Sequence, residues 1–257
     1  MIFFRSDASD IIGTGHVARC LTLAKGLRKF GKKCQFICRD HDGNLIHKIK
    51  QDGFEVRVIS SNKKLTSKNN KDNSIPFHAN WLGASWEDDA EETMKLIDED
   101  EVDLIVVDHY SIDNRWEKKL RLNSKKIMVI DDLADRRHDC DILLDQNLIN
   151  NYESRYDNLI PIKCASLLGP KYALLQDEYQ RLHKHSKPRI RNIKRILIFF
   201  GGSDQNNLTG LTLSIFLKLN RPDIKLDIVL DSRSKYKNEI QAMIKQRSNI
   251  AMYNNLP

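Results

Sequence analysis

The sequence lacks any long hydrophobic run, and its longest apolar stretches are as short as Ile196–Phe200. A helix that crosses a bilayer needs roughly 20 consecutive apolar residues, so we expect no segment to span a membrane. A secretory signal layout is also missing, because the charged residues Arg5 and Asp7 follow the first apolar residues at once. These absences predict a cytoplasmic protein with no membrane partner.

Cysteines are few and scattered. The chain has 5, an odd number, at positions 20, 34, 38, 140 and 164. Without a targeting signal, this number argues against a disulfide framework. Cys34 and Cys38 fall on one face of a predicted strand, but the nearest further candidates, His138 and Cys140, do not give a zinc-like spacing. We therefore expect buried free thiols, no metal site and no cofactor.

Acidic residues are outnumbered by basic ones, and the net charge is +7. Such a charge favours anionic partners in general and selects none of them. Basic residues are concentrated between Arg181 and Arg195, which holds seven Lys or Arg and no acid. This stretch has no interleaved aromatic residues and matches no nucleic-acid-binding motif. We interpret it as a linker before a second domain and expect no nucleic-acid partner.

What the sequence does contain is a glycine-bracketed turn, Gly13-Thr14-Gly15-His16, between a predicted strand at 2–5 and a predicted helix at 14–30. The start of a helix offers free backbone N–H groups and a positive dipole end, and glycines let a ligand approach the backbone. His16 falls in the first turn of the helix, where a titratable side chain can face that ligand. A helix N-terminal histidine without any chemistry is the alternative interpretation.

The run from Gly13 to Ala18 also fits the dinucleotide-binding fingerprint in form. In that fingerprint the first glycine follows the strand directly, whereas Ser6–Ile12 intervene here. The fingerprint also has an acidic residue about 20 residues further along the chain, and Asp40 fits that position only loosely. A nicotinamide cofactor is therefore the weaker interpretation of this turn.

Continuous apolar runs at Leu104–Val107, Ile127–Ile130 and Ile142–Leu144 are typical of strands buried on both faces of a parallel sheet. Helical patterns alternate with them, which predicts a doubly wound α/β sheet. Ligands bind beyond the carboxyl ends of such strands. The polar residues at those ends, which we expect to converge on the glycine turn, are Arg5, Ser6, Asp7, Asp108, His109, Tyr110, Asp131, Asp132, Asp145, Gln146 and Asn147. Any single one of them is also typical of an ordinary cap.

A second strand–turn–helix unit follows the basic stretch. The strand Ile196–Phe200 leads into the turn Gly201–Asp204 and a predicted helix at 207–219. We therefore predict two Rossmann-like domains, at 1–187 and 188–257, with the second incomplete because it has too few strands. Two glycine turns in facing domains suit a nucleotide diphosphate held between them. The polar stretch Ser60–Ser74 is predicted to be a loop.

Several segments, in order along almost the whole chain, carry a family resemblance. They are Arg5-Ser6-Asp7, Ile12–Leu21, Val107–Tyr110 with Trp116-Glu117, Ile130–Arg136, His138–Asn147, Gly169–Leu175 and Gly201–Asp204. With them the chain resembles the UDP-2,4-diacetamido-2,4,6-trideoxy-β-L-altropyranose hydrolases of pseudaminic acid biosynthesis. The block from Asp131 to Asn147 makes the resemblance specific, which a glycine turn alone would not.

The resemblance implies a MurG-like GT-B fold and hydrolysis of a UDP-sugar at its anomeric C–O bond with inversion. It implies His16 as the catalytic base, Tyr110 as an active-site residue, and a diphosphate beside Gly201–Asp204. We add Asp7 as a catalytic candidate. The substrate-binding candidates are Arg5, Gly13, Gly15, Asn147, Gly201, Gly202, Ser203 and Asp204.

Family members continue past the equivalent of Pro257 with a turn and an acid that grip uridine and ribose. We therefore expect this chain alone to hydrolyse the UDP-sugar poorly or not at all, unless a partner completes the second domain. We also expect a monomer whose ligand is that substrate. Two alternatives stay open. One is a GT-B glycosyltransferase that passes the sugar to an acceptor, and the other is a non-catalytic nucleotide-sugar-binding remnant.

Overall fold

The computed structural model describes residues 1–61, 76–188, 192–201, 204–232 and 234–254. The chain forms two compact units, Met1–Lys184 and His185–Pro257. The predicted loop at Ser60–Ser74 lies almost wholly outside the described residues, and so do the candidates Gly202 and Ser203.

The first unit contains a parallel sheet of seven strands in the order β3-β2-β1-β4-β5-β6-β7. The strands are β1 (Ile2–Ser6), β2 (Cys34–Arg39), β3 (Glu55–Ile59), β4 (Leu104–Asp108), β5 (Ile127–Ile130), β6 (Ile142–Asp145) and β7 (Ala165–Leu168). Strands β2 and β3 extend the sheet on one side of β1, and strands β4 to β7 extend it on the other side. The order therefore reverses between β1 and β4.

Helices connect these strands. The α-helices of the first unit are α1 (Gly15–Lys29), α2 (Ile46–Gln51), α3 (Trp86–Ile97), α4 (Asn114–Leu120) and α5 (Asp177–His183), and short 3₁₀ turns lie at Ala79–Leu82, Arg121–Asn123, Tyr152–Ser154 and Pro170–Tyr172. The predicted linker from Arg181 is wrong at its start, since α5 runs to His183.

Both faces of the sheet are covered. Successive strand side chains point to opposite faces, so Phe3 packs in one apolar cluster while Ile2 and Phe4 pack in the other. Helix α1 covers the face of Phe4 through Val17, Cys20, Leu21 and Ala24, and α3 and α4 cover the other face through Ala90, Ile97, Trp116 and Leu120. This arrangement explains why the central strands read as unbroken apolar runs, and it confirms the doubly wound sheet.

The second unit has the same architecture on a smaller scale. Its parallel sheet has the order β10-β9-β8, formed by β8 (Arg195–Ile198), β9 (Lys225–Leu230) and β10 (Ile250–Asn254). Helices α6 (Leu208–Lys218) and α7 (Lys237–Ile244) connect the strands. Leu213 and Ile240 of these helices pack with Leu226 and Ile228 of β9 in a core of their own. The predicted α/β fold with two Rossmann-like units is thus confirmed.

The cysteines are free thiols, and Cys20, Cys38 and Cys140 are buried. Across the described ranges, no helix is both long and apolar enough to cross a membrane. Within the same ranges, no group of three or more His, Cys, Asp or Glu side chains is placed to hold a metal ion.

Candidate active site

The strand order reverses between β1 and β4, and the carboxyl ends of these two strands are in register, with Ser6 paired to Asp108. Ligands of open parallel sheets bind outside the strand ends at such a reversal. A cavity of about 520 Å³ opens there. Its lining includes Gly15, His16, Arg19, Trp81, Tyr110 and Asp132. The candidate site therefore lies within the first unit.

The approach from β1 to α1 is a closed loop. The Ser9 carbonyl accepts a 2.8 Å hydrogen bond from the Gly13 N–H, and the Ser9 hydroxyl accepts from the N–H groups of Ile11 and Ile12. Gly13 has φ +81°, a left-handed conformation that favours glycine and turns the chain into α1. The intervening residues thus form a tight turn, unlike the direct strand-to-helix connection of a dinucleotide site.

The first turn of α1 is open to a ligand. Its N-cap residue, Thr14, makes no side-chain capping hydrogen bond. A Cβ atom built on Gly15 would meet no atom within 4 Å. Uncapped N–H groups beside open space are what an anion needs at a helix start. Gly13 and Gly15 therefore shape this wall through backbone geometry.

His16 is held by a buried carboxylate from β4. Its Nδ1 lies 2.6 Å from Oδ1 of Asp108, whose side chain is fully buried. Arg19, one turn further along α1, donates to both oxygens of Asp108 at 2.5 and 2.7 Å. Burial alone would raise the pKa of Asp108, but His16 and Arg19 lower it to about 2. Asp108 is therefore an anion that fixes the orientation of the imidazole.

Tyr110 and Asp132 extend this group of side chains. The Tyr110 hydroxyl donates to one oxygen of Asp132, and Arg19 donates to the other oxygen at 2.8 Å. Burial and the neighbouring Asp132 carboxylate raise the pKa of Tyr110, so the phenol keeps its proton. The Tyr110 ring meets the His16 ring edge-on at 4.4 Å between centroids. We call these five residues, His16, Arg19, Asp108, Tyr110 and Asp132, the cavity cluster.

Arg5 and Asp7 do not line the cavity. Both side chains are fully buried, with Arg5 Nη1 at 2.6 Å from Asp7 Oδ1 and Arg5 Nη2 at 2.6 Å from Asp89 Oδ2. Arg39 also binds Asp89, and His109 Nε2 lies 3.3 Å from Asp7 Oδ2. Arg5, Asp7, Arg39, Asp89 and His109 form what we call the buried cluster. It adjoins the cavity cluster, because the His16 and His109 rings lie parallel with centroids 6.4 Å apart.

Asn147 lies beside the cavity lining. Its backbone N–H donates to Asp145 Oδ1 at 3.0 Å, which forms a turn after β6. The preceding residue, Gln146, does line the cavity. Its side-chain oxygen accepts a 2.9 Å hydrogen bond from the Leu174 N–H and so fixes the wall formed by residues 174–176.

In the second unit, Asp204 binds the start of α6. Its carboxylate oxygens accept hydrogen bonds from the N–H groups of Leu208 at 2.8 Å and Thr209 at 3.1 Å. The Asn207 side chain accepts from the Gly210 N–H at 3.0 Å. Gly201, which has φ +77°, requires the freedom of glycine. Asp204 is 6% exposed, and its carboxylate helps to cap α6.

The site residues predicted from the sequence do not include Arg19, Asp108 or Asp132. Arg19 carries a signal that could have found it, because a residue three positions after His16 lies on the same helix face. Asp108 and Asp132 stand at strand ends that the sequence marks as polar. Trp81 has no such signal, since it lies on a short 3₁₀ turn and not at a strand end.

No protein-family model matches the chain. It is 28% identical over 257 residues to MJ1062, an uncharacterized protein of Methanocaldococcus jannaschii, which covers 98% of this chain and 47% of that protein. It is 29% identical over 253 residues to the UDP-2,4-diacetamido-2,4,6-trideoxy-β-L-altropyranose hydrolase of Campylobacter jejuni, which covers 98% of this chain and 77% of the hydrolase. The chain thus spans about half the length of the first relative and about three quarters of the second.

Two solved structures show the fold. Acinetobacter baumannii MurG superposes with a TM-score of 0.50 at 13% identity, over 100% of this chain and 67% of MurG. The UDP-GlcNAc 2-epimerase of Neisseria meningitidis, solved with bound UDP-GlcNAc, gives a TM-score of 0.51 at 10% identity, over 100% of this chain and 72% of the epimerase. The chain therefore has a Rossmann-like GT-B fold and, over 98% of its length, resembles a UDP-2,4-diacetamido-2,4,6-trideoxy-β-L-altropyranose hydrolase.

Proposed function

We propose that this chain binds a UDP-sugar and hydrolyses its anomeric C–O bond with inversion, using His16 as the base. The substrate is UDP-2,4-diacetamido-2,4,6-trideoxy-β-L-altropyranose, and the products are UDP and 2,4-diacetamido-2,4,6-trideoxy-L-altrose. The free sugar then enters pseudaminic acid synthesis and, through it, flagellin glycosylation. The observation that carries the proposal is the Asp108–His16 pair in the wall of the cavity, with a 2.6 Å contact between carboxylate and imidazole.

The pair supports the role of a base because it leaves one imidazole nitrogen for water. In the tautomer that acts as a base, Nδ1–H donates to the Asp108 carboxylate and Nε2 carries the lone pair. In the described part of the chain, no side chain or backbone group forms a hydrogen bond with Nε2. A carboxylate in this position also stabilises the imidazolium that forms when the histidine takes a proton.

The charges of the cavity cluster favour the same step. Asp108 and Asp132 bring two negative charges, and Arg19 brings one positive charge. When His16 takes a proton, the cluster becomes electrically neutral. Because these side chains are at most 16% exposed, water screens their interaction only in part. The cluster therefore offsets much of the cost of a positive charge on His16.

In the proposed reaction, His16 Nε2 removes a proton from a water molecule while the water oxygen attacks the anomeric carbon. The bond from that carbon to the phosphate oxygen breaks, and its electron pair leaves with UDP. Inversion requires the water and UDP to lie on opposite faces of the sugar ring. UDP is a good leaving group, so the backbone N–H groups of the open first turn of α1 at Gly13–Gly15 are sufficient to stabilise its charge.

The remaining candidates take roles that follow from their positions. Tyr110, in the cavity lining, contacts the sugar and holds Asp132. Asn147 contacts the sugar from the turn after β6. Arg5 and Asp7 are fully buried, so we propose that they position β1 and β4 rather than touch the substrate.

The test is the release of UDP and free sugar by the purified chain, followed by ¹H NMR of the anomeric proton as the sugar forms. We expect His16→Ala to lower turnover by about 10²–10⁴-fold, the range of general base catalysis. Binding of UDP, measured by calorimetry, stays close to that of the wild type. His47→Ala is the matched control, because His47 is exposed on α2 and lies outside the cavity lining.

Each other outcome selects a different function. Turnover that survives in His16→Ala overturns the base assignment. UDP release that requires a sugar acceptor identifies a glycosyltransferase. Binding of the UDP-sugar without any UDP release identifies a non-catalytic nucleotide-sugar-binding protein.

A further inference from the structure

We propose that Trp81 determines sugar specificity, by forming with Tyr110 an aromatic wall for the apolar face of a deoxy, N-acetylated sugar. This inference rests on the proposed function, since it names what the cavity selects in a UDP-sugar. Trp81 lines the cavity together with His16 and Tyr110. It comes from a different part of the chain than the strand ends that supply the proposed base.

The aromatic wall has a defined geometry. The Trp81 and Tyr110 ring centroids are 5.9 Å apart with an interplanar angle of 32°. The His78 ring packs against Trp81 at 4.1 Å and against Tyr110 at 5.5 Å. Since Tyr110 also meets His16, the aromatic surface is continuous with the proposed base. A sugar against this wall would thus lie next to His16.

The backbone under Trp81 is anchored on both sides. The preceding His78 carbonyl accepts from the Ser111 hydroxyl, and it also accepts a 2.9 Å hydrogen bond from the Trp81 N–H. The next residue, Leu82, is 1% exposed and packs in the core with Ile112 and Trp116. The turn ends at Gly83, where φ is +71° and an added Cβ would lie 2.7 Å from the His41 ring. An anchored backbone lets the half-buried Trp81 ring act as a preformed surface.

The rest of the lining matches an apolar ligand face. Ile12, Leu174 and Leu175 contribute aliphatic surface to the same cavity. A sugar that carries a methyl group in place of a hydroxymethyl group, and acetamido groups in place of hydroxyls, presents more apolar surface to such a lining. An apolar site distinguishes ligands that differ by one small group by about 10–200-fold. We therefore expect selection for a 6-deoxy sugar over its 6-hydroxy counterpart within that range.

Fluorescence provides a direct test, because the chain has three tryptophans and only Trp81 lines the cavity among the described residues. Trp116 is fully buried, and Trp86 packs under Arg115. Titration with free 2,4-diacetamido-2,4,6-trideoxy-L-altrose should change the emission of the wild type and of Trp86→Phe. The change should be absent in Trp81→Phe. N-acetylglucosamine should need a concentration about 10-fold higher or more to give the same signal.

Turnover provides the second readout. Trp81→Ala should lower kcat/KM for the 6-deoxy UDP-sugar by about 10–100-fold, mainly through KM, and should narrow its preference over UDP-GlcNAc. The Trp86→Phe control should change neither value. If Trp81→Ala leaves the preference unchanged, or if Trp81→Phe keeps the fluorescence change, the inference is overturned.

The outcomes separate this inference from the proposed function. A sugar-dependent signal from Trp81 without hydrolysis supports the specificity role and rejects the hydrolase. Hydrolysis whose kcat/KM and sugar preference stay unchanged in Trp81→Ala supports the hydrolase and rejects the specificity role. A chain that neither binds these sugars nor releases UDP contradicts both.

Discussion

Two clusters of charged side chains lie side by side at the carboxyl ends of β1 and β4, and one of them faces the cavity. In the buried cluster, Arg5 and Asp7 are fully shielded from water and bind each other at 2.6 Å. In the cavity cluster, Arg19 and Asp132 are 12% and 16% exposed, and His16 is 6% exposed. The residue types are nearly the same, so exposure and the presence of an available nitrogen distinguish the two.

Similar polar residues at strand ends thus serve packing in one cluster and chemistry in the other. In the buried cluster, the positive charges of Arg5 and Arg39 meet the carboxylates of Asp7 and Asp89, and Trp116 adds a 3.0 Å hydrogen bond to Asp89. In the cavity cluster, His16 lines the cavity, and no group of the described residues forms a hydrogen bond with its Nε2. A set of paired charges fixes geometry, whereas a set with one free nitrogen can move a proton. Substitutions in the two clusters test this division between packing and chemistry.

The largest expected effect is on turnover in Asp108→Asn. An asparagine keeps the size of Asp108 but removes the charge that orients and stabilises the imidazolium, so kcat should fall by about 10³–10⁴-fold. The measurement is UDP release under saturating substrate. Asp7→Asn is the matched variant from the buried cluster, and the folded protein should keep kcat within about 10-fold. Equal losses of kcat in the two variants would remove the distinction between the clusters.

The next effect is on stability in Arg5→Met. This change leaves Asp7 and Asp89 buried without their main positive partner, which costs about 3–5 kcal/mol of the free energy of unfolding. Urea denaturation followed by circular dichroism measures it. The control is Lys125→Met, which removes a surface pair with Asp103 and should change stability little. A loss in Arg5→Met no larger than in this control would mean that the buried cluster is not a structural element.

A smaller effect is expected on the stability of the fold at acidic pH. Asp108 has a pKa of about 2 in the folded protein against its ordinary value of 3.8, because His16 and Arg19 outweigh the effect of burial. A carboxylate whose pKa is lower in the folded than in the unfolded chain stabilises the fold at pH values above the unfolded pKa. This contribution is lost as the pH falls from about 4 towards 2. The difference between the two pKa values corresponds to about 2 kcal/mol of the free energy of unfolding. The free energy of unfolding of the wild type should therefore fall more steeply in this window than that of Asp108→Asn, and parallel curves would contradict the assignment.

The smallest effect is expected in Tyr110→Phe. The ring stays against His16, and only the hydroxyl that donates to Asp132 is lost. A hydrogen bond to a charged group is worth about 1.5–3 kcal/mol, and Arg19 still holds Asp132, so we expect kcat/KM to fall about 10-fold. Steady-state kinetics measures it. A loss as large as that of His16→Ala would make Tyr110 a second proton-transfer residue and would require a different mechanism.

The sequence predicts much of the fold because local physics and tertiary packing agree along it. The apolar runs at 104–107 and 127–130 become central strands, and the glycine turn before His16 becomes the start of α1. The edge strand β7 is not predicted, since its residues are exposed or half-buried and show no clear alternation. Helix α5 is short and is missed, because its last residues, Arg181–His183, fall in the basic linker that the sequence predicts.

The site is predicted in part for the same physical reason. Parallel strands place their carboxyl ends at one edge, so polar residues after β1, β4 and β5 converge without any long-range information. Sequence alone cannot decide which of them face water. Asp7 and Asp108 both end a buried strand, and their surroundings differ only because α1 begins beside Asp108 while α3 brings Asp89 beside Arg5. Such choices depend on packing between distant segments.

Strand β4 and its turn supply both clusters from consecutive residues. Asp108 and Tyr110 contact the cavity cluster, and His109, between them, contacts Asp7. An insertion or deletion of a single residue in β4 would rotate this tripeptide by one position and exchange the side chains delivered to each cluster. Substitutions at these positions can tune the site one group at a time, but a change in strand length alters both clusters at once. The length of β4 is therefore as strong a constraint on variation here as the identity of the side chains.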